Sequence, residues 1–277
     1  MPTSPTSPPP PPPSPPSPLL GGKTVVVSGV GTGLGHQVAA AVVRDGGNAV
    51  LGARTEARLA ESAAGIDPGG ARTAYRATDI TDERQCEALA ALARDRFGGI
   101  DAAVHVAAWD SHAGGLENAD FETWRGVVDV NLLGTLRMTR ACLPALKERG
   151  GSVVFIGTQS AVAAPSEVRQ AAYAASKGAL TSAMYSLARE LGPHRVRVNT
   201  VLPGWMWGPP VEAYVRFAAR SEGVPEAAVR GRLTARMALP DLATDGDVAD
   251  AVVFLASDRA RSITGQSLLV NAGEVMR

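Results

Sequence analysis

The sequence is short of nearly everything that marks a specialised class of protein. It has two cysteines, Cys86 and Cys142, far apart and in helix-like contexts. That pattern argues against a disulfide framework and suits a reducing, cytoplasmic compartment. Its four histidines, His36, His105, His112 and His194, share no metal-ligand spacing with one another or with the cysteines, so no zinc site is expected. Neither sign of charge is in excess, since 27 Lys and Arg balance 27 Asp and Glu. A nucleic-acid or anionic-membrane surface would need a basic surplus, so neither partner is expected. No apolar run is long enough to span a membrane.

What is abundant is proline, and it is concentrated at the start. PTSPTSPPPPPPSPPSP follows Met1, so residues 1–18 read as a disordered, extended polyproline arm whose backbone is solvated. Docking on an SH3-like partner is the other reading of that arm. It lacks the apolar core of a signal peptide and the Arg-rich pattern of a transit peptide. From residue 19 to 277 the chain reads as a single α/β domain.

No repeat of solenoid period is visible. Short β-branched runs alternate instead with longer helical patterns. TVVVS (24–28), AVLG (49–52), AYRAT (74–78), AAVHV (102–106), SVVFIG (152–157), VRVNTV (196–201) and SLLV (267–270) read as seven strands. Helical patterns lie near 35–45, 55–64, 82–97, 121–148, 171–191 and 245–256. This alternation predicts a doubly wound, Rossmann-type parallel sheet with right-handed crossovers, whose ligands bind beyond the carboxyl ends of the strands.

At the end of the first strand stands SGVGTGLG, with Gly29, Gly33 and Gly35 at the strand end, the turn and the helix start. Glycines there let the backbone turn sharply and let a pyrophosphate approach the free N–H groups of the helix, next to Leu34. The common G-x-G-x-x-G spacing does not fit, because Leu34 stands where its last glycine would be. The pattern is [S/T]-G-x-x-x-G-x-G, and a later helix carries YAASK, with Tyr173 and Lys177 one turn apart on one face. With Asp79 after the third strand, Asn131 in VNLLG, RVNTVLPG (197–204) and TGQSLLVNAG (264–273), the chain resembles the short-chain dehydrogenase/reductase family from about Gly22 onward. Two departures stand out. His105-Val106-Ala107-Ala108 replaces the family's N-N-A-G, and PGWMWGPP lacks the Thr common a few residues past Pro-Gly.

The resemblance implies a nicotinamide cofactor held by Gly29, Gly33, Leu34, Gly35, Ala107, Tyr173, Lys177, Pro203, Gly204 and Met206. Asp79 matches the adenine-contacting acid, with an N-cap of the next helix as its rival role. Ala53 stands where an acid would bind a ribose 2′-OH, and Arg54 follows. A guanidinium can clamp a phosphate, so NADP(H) is favoured over NAD(H), although a solvated surface Arg is the plainer reading. Catalysis would fall to Tyr173 as acid/base, with Lys177 lowering its pKa and Asn131 supporting a proton relay. Either Thr158 or Ser160 would polarise the carbonyl; both have the same parity along an extended chain.

The function expected is NADP(H)-dependent interconversion of an alcohol and a ketone or aldehyde, on an apolar or cyclic small-molecule substrate. A non-catalytic NAD(P)-binding regulator of the same fold is the alternative. The family's use of the Tyr173 and Asn131 helices as a subunit interface implies a homodimer or homotetramer. The stretch 205–240, after the sixth strand, is long for a connection and reads as a substrate lid of two helices broken around Gly223 and Pro225. Trp205 and Trp207 at its base, and Trp109 after the fourth strand, are candidate substrate contacts.

Overall fold

A computed structural model describes residues 18–110, 116–165 and 168–277. The proline-rich arm up to Ser17, and His112, lie outside the described residues. Nine strands and nine α-helices follow in chain order among the described residues: β1 Thr24–Ser28, α1 Leu34–Arg44, β2 Asn48–Ala53, α2 Glu56–Ile66, β3 Thr73–Ala77, α3 Glu83–Phe97, β4 Ala102–His105, α4 Phe121–Val128, α5 Thr135–Arg149, β5 Gly151–Ile156, α6 Ala171–Leu191, β6 Val196–Pro203, β7 Met206–Trp207, α7 Pro209–Glu222, α8 Glu226–Thr234, β8 Ala243–Thr244, α9 Asp245–Ala256 and β9 Ser267–Val270. Seven strands form one sheet in the order β3-β2-β1-β4-β5-β6-β9, every pair parallel. This is the doubly wound α/β sheet that the strand–helix alternation predicts.

The sheet is covered on both faces, which is why its strands are nearly continuous apolar runs. Along β1 the side chains alternate between two cores. Val25 and Val27 pack with α1 and α9, while Val26 packs with α3, α5 and α6. Both cysteines are free and lie in the second core, where burial raises the thiol of Cys86 to about 11 and that of Cys142 to about 12. At those values neither forms a thiolate near neutral pH.

Strand order reverses between β2-β1 and β4-β5, so the connections leaving β1 and β4 diverge and open a crevice at their carboxyl ends. The helical pattern 121–148 is one helix interrupted by a π turn at Asp129–Gly134, between α4 and α5. Such insertions often accompany functional side chains. After β6 the chain leaves the sheet, and α7 and α8 form a small satellite core with Trp205, Trp207 and Tyr214. No helix among the described residues is long and apolar enough to cross a membrane.

His105, where the family pattern has Asn, is buried and ties three elements together. Its Nδ1 lies 3.0 Å from the Ser28 hydroxyl on β1, and its Nε2 lies 3.1 Å from the Thr139 hydroxyl on α5. The Thr139 proton goes to the Thr135 carbonyl at 2.8 Å. Nε2–H must therefore donate to Thr139, and Nδ1 accepts from Ser28. Burial first, then the charge of Lys177, holds the imidazole pKa down from 6.5 to about 3. Because the folded-state value is depressed, the neutral ring stabilises the fold fully above about pH 6.5, and that contribution fades as pH falls toward about 3. Urea titrations at pH 6.5 and 5 should show the wild type losing about 2 kcal/mol more than His105→Asn over that interval. Parallel losses would mean the imidazole is not held neutral.

Candidate active site

The β1–α1 turn is built by the absence of side chains. A Cβ on Gly29, which has φ +91°, would run into the backbone amide of Ala107, and one on Gly35 would run into the Gly29 carbonyl. Gly33 caps α1 without any side-chain hydrogen bond, and the first turn carries no acidic residue. The opening N–H groups of α1 are therefore directed at a space that suits an anion.

That space is one end of a cleft of about 610 Å³ at the carboxyl edge of the sheet. Gly33 and Leu34 line it from α1, Pro203, Gly204 and Met206 from the end of β6 and from β7, and Tyr173 and Lys177 from α6. Ala107 backs the glycine turn, its N–H donating to the Ser28 carbonyl at 2.9 Å. A groove of about 750 Å³ between α3 and α5 is lined by charged helix flanks such as Glu83, Arg94 and Arg140, and none of its residues comes from a strand end.

Lys177 is fully buried, and its ammonium donates to the Ile156 carbonyl at the end of β5, 2.7 Å away. Burial lowers its pKa to about 8, opposed by the negative charge of Asp110. Tyr173 lies one turn earlier, with the Lys177 Nζ 6.0 Å from its ring centre. The sequence suggested a phenol made more acidic by Lys177. The structure gives the opposite direction: burial and then the Asp110 charge raise the phenol, and a hydrogen bond with the Thr158 side chain pulls the other way. The physical reason is desolvation in a cleft that also contains a carboxylate.

Thr158 and Ser160 both line the cleft, but they are not equivalent. Thr158 is the one whose side chain acts on the Tyr173 phenol, lowering its pKa against the effect of burial, and its hydroxyl accepts the Ser160 N–H at 3.2 Å. Asn131, buried in the π turn, clamps the chain after β4. It accepts from the Trp109 N–H at 2.7 Å and donates to the Trp109 carbonyl at 3.2 Å and to the Ser176 hydroxyl at 3.0 Å. Its side chain thus joins the β4 loop to α6, one residue before Lys177.

Other expected site residues lie farther out. Arg54 follows β2 as an exposed side chain with no partner among the described residues, and Asp79 follows β3; neither lines the cleft. Asp79 accepts from the Thr81 N–H and hydroxyl at 2.9 and 2.7 Å, while Asp82 takes the N-cap of α3. Of the three tryptophans, Trp205 lines the cleft, its ring 5.0 Å from that of Tyr214. The Trp207 ring is instead covered by Arg230 at 4.4 Å, and the Trp109 ring presses on Gly126 of α4.

Among the cleft residues that carry no motif in the sequence are Asp110, Gln159 and Asp245. Gln159 accepts from Asn271 and donates to Glu274, each at 2.7 Å, which ties the chain after β9 to the cleft. Its only sequence signal is its place between Thr158 and Ser160.

The sequence profile of a family described as enoyl-(acyl carrier protein) reductase matches residues 29–274. The chain is similar to an L-rhamnose 1-dehydrogenase (NAD(P)(+)) of Azotobacter vinelandii, 34% identical over 92% of this chain and 97% of that protein. It is 33% identical to an L-fucose dehydrogenase of Mus musculus, over 91% of this chain and 88% of the other. A crystal structure titled short-chain dehydrogenase/reductase SDR:glucose/ribitol dehydrogenase, from Brucella melitensis, superposes with a TM-score of 0.83 at 28% identity, over 94% of this chain and 99% of that one. On this coverage, the chain belongs to the short-chain dehydrogenase/reductase family and is an oxidoreductase of that NAD(P)-binding family.

Proposed function

We propose that the protein is an NADP(H)-dependent enzyme that interconverts an alcohol with its ketone or aldehyde, with Tyr173 as the proton donor and acceptor. The observation that carries this reading is the gathering of the Tyr173 phenol, the Thr158 side chain and the Lys177 ammonium in one cleft beside the glycine turn. When bound, the nicotinamide supplies or accepts the hydride. The glycine turn, Leu34, Pro203, Gly204 and Met206 would hold it. Tyr173 gives its proton to the carbonyl oxygen in reduction and takes it back in oxidation. Its raised pKa keeps the phenol protonated at rest, the form that reduction needs. Thr158 orients the carbonyl oxygen, and Ser160 shapes the turn beside it. Asn131 is a positioning residue that fixes α6 against the β4 loop.

Lys177 supplies positive charge beneath the reacting oxygen. With its pKa near 8, the ammonium is present below that value and is lost above it, so carbonyl reduction should fall as pH rises through about 8. Arg54, just after β2 and without a partner among the described residues, supports NADP(H) over NAD(H). Asp79 is assigned to the adenine end.

The helices α7 and α8 are assigned as the lid over the substrate end, because Pro210, Val211 and Tyr214 line the cleft from α7. The apolar lining there, with Trp205 and Val168, supports an apolar or cyclic substrate, and Asp110 and Gln170 add hydrogen-bonding groups at one side. A homo-oligomer through the α5 and α6 side is supported by the exposed Leu133 and Tyr185.

Tyr173→Phe should lower kcat at least a thousandfold while cofactor still binds, and Thr158→Ala should cost roughly a hundredfold against a small loss for Ser160→Ala. Near-wild-type turnover by Tyr173→Phe would end the mechanism. Replacing Ala53 by Asp together with Arg54→Ala should move kcat/KM from NADP(H) toward NAD(H); a wild type that already prefers NAD(H) refutes the cofactor assignment. Trp205→Ala should raise KM for bulky cyclic carbonyls more than for small ones, whereas Trp207→Ala, whose ring is covered by Arg230, should raise it less. The reverse order would mean that Trp207 turns into the cleft when the lid closes.

A further inference from the structure

At the glycine-turn end of the cleft stands a carboxylate that no motif explains. The two-residue strands β7 and β8 pair in parallel with Trp207 opposite Thr244, which brings the next residues, Gly208 and Asp245, side by side. A Cβ on Gly208 would come within 3.2 Å of the Asp245 Oδ2, and a Cβ on Gly33, the cap of α1, would also come within 3.2 Å of it. The carboxylate is therefore held between two glycines, one of which caps the helix that opens on the anion space. It lines the same cleft as Leu34 and Lys177.

Capping of α9 does not require a charge there. The start of α9 is already capped by Thr244 and Asp247, each side chain bonding the other's backbone N–H. Asp245 forms no hydrogen bond or ion pair with the described residues. Burial is what raises its pKa, with no charged neighbour contributing. The charged or titratable groups on the surrounding elements are engaged elsewhere: Asp247 with Thr244 and Asp250 with Arg44 on α9, His36 with Ser62 on α1, and Glu212 with Arg216 on α7. Asp110, Tyr173 and Lys177 share the cleft itself.

We propose that Asp245 is a cofactor-contacting residue that meets the diphosphate of the nicotinamide cofactor and takes up one proton when the cofactor binds. An ionised carboxylate beside a diphosphate costs repulsion, while a protonated carboxyl has an O–H to donate to a phosphate oxygen. One proton passes from solvent to a carboxylate oxygen, and no other bond changes. This rests on the cofactor cleft assigned above. It deepens that reading by making cofactor affinity depend on pH through a residue remote from the hydride.

Isothermal titration of NADPH into the whole protein at pH 7, in two buffers of different ionisation heat, counts the protons taken up. Wild type should take up close to one proton more per cofactor than Asp245→Asn or Asp245→Ala. Between pH 7 and 8 its Kd should weaken by up to tenfold relative to Asp245→Asn. Both variants should keep the wild-type melting temperature within a few degrees. Protons on Tyr173, Lys177 and the ligand are common to all three proteins and cancel in the difference. Equal proton counts, or an Asp245→Asn protein that binds more weakly with the wild-type pH slope, would overturn the proposal and leave the cleft assignment standing. A wild type that binds neither NADPH nor NADH would overturn both.

Discussion

The functional geometry depends on one close approach of backbone to backbone. Where β1 ends, Gly29 lies against the amide of Ala107 after β4, and Gly35 lies against the Gly29 carbonyl. A side chain at either glycine would separate β1, α1 and the β4 loop. That separation would close the anion space at the head of α1 and move the β4 loop that Asn131 grips through Trp109. His105 works on the same joint from below, bonding β1 to α5 in the space where the family pattern has an amide. The larger ring is accommodated because Ser28 presents a donor to Nδ1 and Thr139 an acceptor to Nε2–H.

The cleft above that joint concentrates ionisable groups in partly desolvated surroundings. Lys177 has a single carbonyl as its hydrogen-bond partner among the described residues and is pushed toward neutrality; Tyr173 and Asp245 are pushed toward their protonated forms. In each case burial is the largest cause, and it disfavours whichever form carries the charge. The free cleft thus favours the uncharged form of all three groups.

Much of this was legible in the sequence because it depends on local period and backbone freedom. Seven apolar runs, the glycine spacing and the tyrosine one turn before a lysine are each short-range patterns, and such patterns survive without knowledge of the fold. The breaks at Gly223 and Pro225 also show directly in the chain, and the two helices stop and start there. The π turn did not show, because an inserted helical residue leaves hydrophobic spacing nearly intact. The identities of Asp110, Gln159 and Asp245 did not show either. An aspartate at the first position of a helix looks like a favourable dipole partner until Gly33 and Gly208 are found on either side of it.

Sequence by itself determined the parallel doubly wound sheet, the phosphate-compatible turn and the residue types at the Tyr173–Lys177 pair. Tertiary structure alone decided that Trp205 rather than Trp207 lines the cleft and that burial pushes the phenol up rather than down. The reason is physical. Helix and strand periods are set by neighbours along the chain, whereas a pKa, a hydrogen-bond partner or a side chain's exposure is set by whatever distant segments fold against it.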